Sequence, residues 1–497
     1  MNNTHRRNND VDLVSNMFEK MTSAEQDHLL KQLLLKCTAK QLQMLHNDTR
    51  QMLAVDFVIL LPREIVDRIF SYLTPVELSR AACCSSQWRE RANSNSLWRD
   101  LARRRSWLHF GDENSTQTTQ ELYMPTPAVN HTPSASSPTF QPFVNTLKDL
   151  IAISEWKDVY IRADHLHRNW EYGRYVLLPP LRFHTKVVTC ADTDGCLLAS
   201  GSQDKTVAVW DMSSGKQLHG FVHHAEAITC LKLSGNILLT GSFDGIVKVY
   251  NVSTGKCLGN LEPSEEIPSP AKCVSLNELY AFVAYDNYSV SAYKLASRRC
   301  LWNVKAHTDD IVQLMCNRDY CVTTSWDQTI KVWYVENGRC FQSMHAHTEV
   351  VHCCKFNNEY LVSGGGDKLV KIWELENGYC LQTLYGHLDD VYCLDFDDKH
   401  VASGSADSTV RIWSWLGICL HVLNKHVGVV RCLKLQRNMV ISSGDQKLIC
   451  VWDTKDGKLL NVVHRNPSLV KLMLVCDTKL VVVSPDTSGS LVVLSYW

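Results

Sequence analysis

The chain has 497 residues, 45% of them apolar and 21% charged, and its 51 Lys and Arg against 52 Asp and Glu leave a formal net charge of -1. That balance excludes a global pull toward nucleic acid or anionic lipid, and a chain of this length has room for about two to four domains. No run of about 18 apolar residues suggests a membrane span, and the start, Met1-Asn2-Asn3-Thr4-His5-Arg6-Arg7, lacks the apolar stretch of a secretory signal, so the cytoplasm and/or nucleus is the expected location, with no nucleic-acid or membrane partner.

Residues 11–55 carry helix-spaced apolar residues at Met17-Phe18, Leu29-Leu30, Leu33-Leu34-Leu35, Leu42, Met44-Leu45 and Met52-Leu53, and Thr22-Ser23 with Glu25-Gln26 offers capping boxes. A packed helical extension is the plain expectation. In residues 56–105 a helix begins around Leu60-Leu61-Pro62, with Pro in its first turn and Ile65, Ile69 and Leu73 on one face. Thr74-Pro75-Val76-Glu77 then supplies an N-cap, a first-turn Pro and a capping-box Glu for a second helix.

Leu60, Leu61-Pro62, Ile65, Ile69, Leu73, Leu78, Trp88 and Leu97-Trp98 together resemble an F-box over about 45 residues. The resemblance implies that these side chains dock a Skp-type adaptor through apolar helical faces, because so short a segment buries little by itself. A small helical bundle that packs only within the chain is the alternative. Arg103-Arg104-Arg105 reads as a solvated helix end.

Residues 111–145 change texture, with Pro125, Pro127, Pro133, Pro138 and Pro142 among many Ser, Thr and Asn, which is the composition of a disordered insertion. Thr126, Thr132 and Ser137 each precede Pro and fit proline-directed phosphorylation. Helical periodicity resumes over 146–172, through Leu147, Ile151, Trp156, Tyr160 and Ile161, as a stalk.

From 173 to 497 one unit recurs every 39 to 43 residues. The copies read His184…Asp204…Trp210, His224…Asp244…Tyr250, His307…Asp327…Trp333, His347…Asp367…Trp373 and His387…Asp407…Trp413, with Ser200, Thr240, Thr323, Ser363 and Ser403 four residues before each Asp. Two further units are degenerate. One keeps Ser289 to Tyr293 but has Asn287 for the Asp and no aligned His; the other keeps His426 and Trp452, with Gln446 beside Asp445. The last 30 residues read as three strands, around 469–474, 480–483 and 491–494.

These repeats resemble the WD-repeat family, in which the His, Asp, hydroxyl and Trp of each blade share hydrogen bonds. The fold expected is therefore an α+β multidomain chain, an N-terminal all-α region with an F-box followed by an all-β propeller. The three final strands leave the last blade one strand short, and Gly173-Arg174-Tyr175-Val176-Leu177-Leu178 is expected to supply the missing strand, making eight blades rather than seven. With both parts present, residues 11–55 also resemble the dimerisation region that precedes the F-box in several F-box/WD-repeat proteins, which implies a homodimer.

Twenty cysteines are present without a single C-x-x-C, which removes zinc-ribbon and RING-like spacing, and no metal or cofactor is expected. Cys190, Cys230, Cys353, Cys393 and Cys432, each six residues after a His, and Cys257, Cys340, Cys380 and Cys419 read as small buried apolar residues. A His with an Asp partner suits general acid–base chemistry, but an enzyme needs one such site and a blade needs one each. Neither a G-x-x-x-x-G-K-[ST] loop nor G-x-S-x-G occurs.

What the resemblance implies is a non-catalytic substrate receptor of an SCF-type cullin–RING ubiquitin ligase, its F-box on the adaptor and its propeller on target proteins bound for ubiquitination and proteasomal degradation. A WD-repeat scaffold that assembles proteins without ubiquitination is the alternative, and an enzyme with its site in the propeller channel a third class. Phosphate-reading relatives of the eight-bladed branch place arginines five residues after a blade His or just before a blade Asp. Here those positions hold Thr189, Thr229, Val312, His352, Tyr392 and Arg431, and Gln203, Phe243, Trp326, Gly366 and Ala406. Only Arg431 fits, among Glu226, Asp309, Asp310, Glu349, Asp389 and Asp390. The expected target-binding residues are Phe243, Trp326, His352, Tyr392 and Arg431, facing apolar or basic segments rather than doubly phosphorylated ones.

Overall fold

A computed structural model describes residues 17–45, 56–105, 107–110, 154–261, 269–445, 448–463, 470–484 and 489–497. The Pro-rich stretch 111–145, with Thr126, Thr132 and Ser137, lies outside the described residues, as do 11–16, 46–55, 146–153 and Gln446. The chain divides into two compact units, Met1–Leu97 and Trp98–Trp497.

In the first unit, helix α1 (Ser23–Lys36) starts where Thr22 donates its backbone N–H to Glu25 Oε2 at 2.9 Å. It buries none of its residues, and Leu30, Leu33, Leu34 and Leu35 are all exposed. The F-box segment is built from α2 (Phe57–Leu60), α3 (Arg63–Phe70), α4 (Pro75–Ala81), α5 (Ser86–Ala92) and α6 (Asn95–Arg104), and most of α6 belongs to the second unit. Asp56 ties it together, accepting from Val58 N at 3.0 Å and from Trp88 Nε1 at 2.8 Å through one carboxylate oxygen. The Trp88 ring packs edge-on against Phe57 (4.9 Å between centroids) and beside Phe70 (5.5 Å). Thr74 and Glu77 form the reciprocal cap at the start of α4, with Thr74 N donating to Glu77 Oε2 at 2.8 Å and Glu77 N to Thr74 Oγ1 at 3.4 Å.

In the second unit, α7 (Glu155–Tyr172) is capped by Ser154, which accepts from Lys157 N at 3.3 Å, and ends at Gly173 in the left-handed region with φ 63°. Only glycine fits there, since a Cβ would also collide with the Asn461 side chain. Trp98 and Trp107 pack on Tyr160 of α7, with centroids 5.3 and 5.1 Å away. At its other end α7 rests on the propeller, Asn169 Nδ2 donating to Tyr496 O at 2.8 Å and Trp170 Nε1 to Asp477 O at 3.0 Å.

The propeller has eight sheets. Blades I to VII are four-stranded antiparallel meanders over 188–221, 228–260, 271–305, 311–345, 351–384, 391–424 and 430–463. Their first strands stand side by side around the axis, and that of blade VIII, Leu472–Val475, adjoins that of blade I. The second and third strands are almost wholly buried, as at Leu361, Val362, Val370 and Ile372, because the blades pack face to face.

Blade VIII closes the ring. Its three C-terminal strands take their fourth from upstream, with Val176 and Leu177 opposite Ser495 and Leu494, and Leu181 and Arg182 opposite Leu491 and Ser490. The single strand expected from Gly173 to Leu178 is two short strands, Val176–Leu177 and Leu181–Arg182, because Pro179-Pro180 between them has no N–H to give the ladder. The preceding strand runs Leu472–Val475, later than expected, and 464–469 lie outside the described residues.

The cysteines separate by strand. Cys230, Cys353 and Cys393, on first strands, are buried, and burial pushes the thiol of Cys190, on the same strand of blade I, up to about 12. Cys257, Cys340 and Cys380 are exposed, contrary to the expectation from sequence. They lie at the first or second position of fourth strands, which form the outer rim and have a neighbouring strand on one side only.

Candidate functional site

Each well-formed blade holds a four-residue relay. In blade V, His347 Nδ1–H donates to Asp367 Oδ1 at 2.7 Å, Ser363 Oγ–H donates to His347 Nε2 at 2.8 Å, and Trp373 Nε1–H donates to Ser363 Oγ at 2.9 Å. Blade VI repeats it through His387, Asp407, Ser403 and Trp413, and blade IV through His307, Asp327, Thr323 and Trp333. Burial opposes ionisation of Asp327, yet the hydroxyl of Thr329 and the His307 imidazole hold it down to about 2.

Elsewhere the relay loosens. His184 Nδ1 meets Thr206 Oγ1 at 2.6 Å and stands 3.6 Å from Asp204, with Trp210 still on Ser200; His224 is 3.7 Å from Asp244. His426 keeps Ser442 and Trp452 but meets no acid among the described residues, and burial brings its imidazole down to about 4. Blade III substitutes a Tyr285–Tyr293 hydroxyl contact of 2.8 Å, and Asn287 accepts from Ser289. A device present in several blades at graded quality positions loops.

The relay joins the loop before each first strand to the loop after each second strand, so both open on one face. On this face the first strand of every blade from I to VII skips one residue of register. The skipped residues are Thr189, Thr229, Lys272, Val312, His352, Tyr392 and Arg431, a ring of β-bulge side chains. Lys272 was missed by sequence reasoning because blade III has no His from which to count; only strand pairing aligns it.

Of the expected target-binding residues, the structure brings His352 and Tyr392 together, with ring centroids 4.6 Å apart. His352 Nε2 is 3.3 Å from Asp390. Trp326, half exposed, follows the second strand of blade IV, which lies beside the first strand of blade V. Phe243 is exposed in blade II, two blades from Trp326. Arg431 is held by Asp445, which bonds both Nε and Nη2, the latter at 3.3 Å, and which keeps the guanidinium firmly charged. Lys272 is held likewise, 2.7 Å from Asp310 and 3.4 Å from Asp286.

The F-box segment sorts its candidates by exposure. Leu60, Leu61, Pro62, Ile65 and Ile69 are exposed along α2 and α3, joined by Ile59, Tyr72 and Val76, and Leu73 is half-buried. Leu78, Leu97 and Trp98 are buried, and Trp88 is engaged with Asp56, Phe57 and Phe70, so these four hold the fold and do not form an outer docking face. The helix period alone does not tell which stripe faces inward; in α3 the inward stripe is Val66 and Phe70.

Residues 58–104 match the F-box-like family model, and the WD domain, G-beta repeat model matches 176–211, 215–251, 298–334, 338–374, 378–414 and 417–453. The chain is an F-box/WD-repeat protein. The repeat matches pass over the first three strands of blade III and the three C-terminal strands of blade VIII, where the structure nonetheless builds full sheets.

Among curated relatives, "Probable E3 ubiquitin ligase complex SCF subunit sconB" of Arthroderma benhamiae is 28% identical over 222 residues, covering 42% of this chain and 32% of its own. The subunit of the same name from Talaromyces stipitatus is 25% identical over 243 residues, covering 41% and 36%. F-box/WD repeat-containing protein 7 of Drosophila melanogaster is 28% identical over 207 residues, covering 41% and 14%. This F-box/WD-repeat protein thus spans about a third of the length of the fungal relatives it matches. The crystal structure of the computationally designed Ika8 protein aligns with a TM-score of 0.59 at 27% identity, covering 64% of this chain and 98% of that one.

Proposed function

We propose that this F-box/WD-repeat protein is a substrate-recognition subunit of an SCF-type cullin–RING ubiquitin ligase. The observation that carries it is the exposed apolar stripe Leu60, Leu61, Ile65 and Ile69 beside Pro62, on a helical segment whose own core is already filled by Phe57, Phe70 and Trp88. An apolar stripe left outside a completed core is an interface, and the relatives' names supply its partner, the Skp-type adaptor with its cullin–RING core. The propeller's loop face takes the target.

The protein itself contributes proximity and orientation, and transfer of ubiquitin belongs to the other subunits. Its own non-catalytic role is supported by the His–Asp pairs of blades IV, V and VI, each of which is taken up in a blade relay. All twenty cysteines are free thiols, which suits the cytoplasm or nucleus. The exposed leucines of α1 favour a homodimer through 11–55. Co-purification tests the central reading: the full chain should recover adaptor and cullin, and Leu61→Ala with Pro62→Ala should lose both while the propeller still melts cooperatively. Recovery of neither by the unaltered chain would leave the scaffold reading in its place.

A further inference from the structure

The propeller face opposite the relay loops carries the turns from third to fourth strand, and these turns are not alike. In blades I, II, IV and VII the turn ends on two polar residues, a glycine and a base: Ser213-Ser214-Gly215-Lys216, Ser253-Thr254-Gly255-Lys256, Glu336-Asn337-Gly338-Arg339 and Lys455-Asp456-Gly457-Lys458. Blade V keeps the polar pair and the glycine but has Tyr379 for the base. Blade VI departs altogether. Its Trp413 pairs with Cys419, where Trp373 of blade V pairs with Cys380, so its turn is one residue shorter, and it reads Ser414-Trp415-Leu416-Gly417-Ile418.

The apolar side chains of this turn stand outward on a firm base. Trp415 packs on Tyr360 and Phe396, with ring centroids 5.0 and 5.5 Å away, and its Nε1–H donates to Asp397 O at 3.0 Å. Gly417 N donates to Ser414 O at 3.0 Å, and Ser414 N to Ile418 O at 2.9 Å. On this base Leu416 is 78% exposed and Ile418 60%, and Tyr379 of blade V is 69% exposed. A Cβ on Gly417 would lie 3.0 Å from Gln382 Oε1, so the turn stands against the fourth strand of blade V and the two blades share one apolar patch, which exposed Leu420 extends along the rim. Exposed carboxylates border it, Glu359 next to Tyr360, Glu376 in the turn of blade V and Asp398 next to Asp397, with one lysine, Lys399.

We propose that this patch is a second docking surface, which takes a basic amphipathic helix of a partner protein. Apolar side chains of the helix cover Leu416, Ile418 and Tyr379, while its lysines or arginines meet Glu359, Glu376 and Asp398. The lysine or arginine that would repel such a helix ends the same turn in four other blades and is replaced by Tyr379 and Ile418 in these two. A helix suits a patch that crosses from one blade to the next, because its i, i+3, i+4 stripe is broader than the edge of a single strand. The surface lies opposite the loop face, so its occupant does not compete with a target held there.

The test uses the full chain and three peptides of about 14 residues, about four helical turns, built from Leu and Lys, from Leu and Glu, or from Ser and Lys, each with a central benzophenone for photocross-linking. With the Leu/Lys peptide, cross-links mapped by mass spectrometry should fall on residues 376–382 and 412–424, and either other peptide should label them about tenfold less. Leu416→Asn with Ile418→Lys gives the blade VI turn the polar character of the other turns and should cut labelling there about tenfold with unaltered melting. Tyr379→Arg, which leaves blade VI untouched, should cut it as well, and Trp326→Ala on the loop face should leave it unchanged. Equal labelling by the Leu/Glu or Ser/Lys peptide, cross-links that fall only elsewhere, such as on Leu60 to Ile69, or labelling of 412–424 that survives Tyr379→Arg and the blade VI substitutions overturns the proposal.

Discussion

The indole of Trp170 lies flat on the phenol ring of Tyr496, with centroids 3.7 Å apart and planes 11° apart. The same indole donates to Asp477 O at 3.0 Å, and Asn169 beside it donates to Tyr496 O at 2.8 Å. One turn of α7 thus clasps the last residues of the chain, which belong to the blade that closes the ring. Trp170→Ala should destabilise the propeller by about 3–5 kcal/mol, the cost of a large core truncation, and Trp170→Phe, which keeps the stack but drops the donor, by about 1–2 kcal/mol. Urea denaturation checks both, and equal midpoints for Trp170→Ala and the parent would show that the clasp adds nothing.

Ring closure predicts a difference between two truncations. Removing 1–153 leaves α7 and the closing strands, whereas removing 1–182 strips Val176–Leu177 and Leu181–Arg182 from the edge of Ser490–Ser495. The shorter chain should melt lower and aggregate through its open edge. Leu181→Ala in the full chain, at a residue packed with Leu198, Trp210 and Val481, should cost about 2–5 kcal/mol. Identical melting of the two truncated chains would argue against closure by these strands.

On the F-box surface, exposure separates binding from folding. Ile65→Ala or Ile69→Ala should weaken adaptor capture with stability changed by no more than about 0.5 kcal/mol, since neither side chain is buried. Val66→Ala or Phe70→Ala, one position along, should instead destabilise the segment, because both are fully buried. Pull-downs paired with thermal melts distinguish the two patterns, and loss of capture by all four variants only in proportion to unfolding would refute an adaptor face there.

Acid should unfold the propeller in two stages. His224 and His426 are held by burial at about 4, below the ordinary value of 6.5, and His184 and His307 are lowered for the same first reason. The unfolded chain therefore takes up protons first, so stability present above pH 6.5 falls between pH 6.5 and 4, by about 3 kcal/mol for each of His224 and His426. Below pH 4 the lowered carboxyls of Asp327, Asp367 and Asp407 titrate, and the stability they contribute is lost in turn. His426→Gln should flatten the first stage in denaturant midpoints measured against pH, and an unchanged slope would show that His426 is not one of the groups responsible.

The leucines of α1 predict self-association. The full chain should sediment as a dimer at micromolar concentration and deletion of 11–55 should make it monomeric, because a helix whose leucines stay exposed among the described residues gains by burying that surface against a copy. A full-length monomer across that range would exclude it.

The repeat was legible in the sequence because each blade solves the same local problem: buried strand ends need polar partners, and His, Asp, Ser or Thr, and Trp at set spacing meet that need within one blade. The F-box caps were legible for the same reason, Thr74 and Glu77 being three residues apart and sufficient to each other. What depends on distant neighbours was not. Whether Ile65 or Val66 faces inward, and that Leu78, Leu97 and Trp98 are interior, is set by packing that the helix period leaves open. The exposure of Cys257 follows from a fourth strand having nothing outside it. The place of Lys272 in the bulge ring follows from strand pairing in a blade without the His landmark. Local hydrogen-bond demand was thus written in the chain, while the surroundings of Arg431, which Asp445 occupies from the end of the neighbouring strand, were decided by the tertiary structure, since a side chain's charge is encoded residue by residue but its neutralisation requires a strand and a loop to meet.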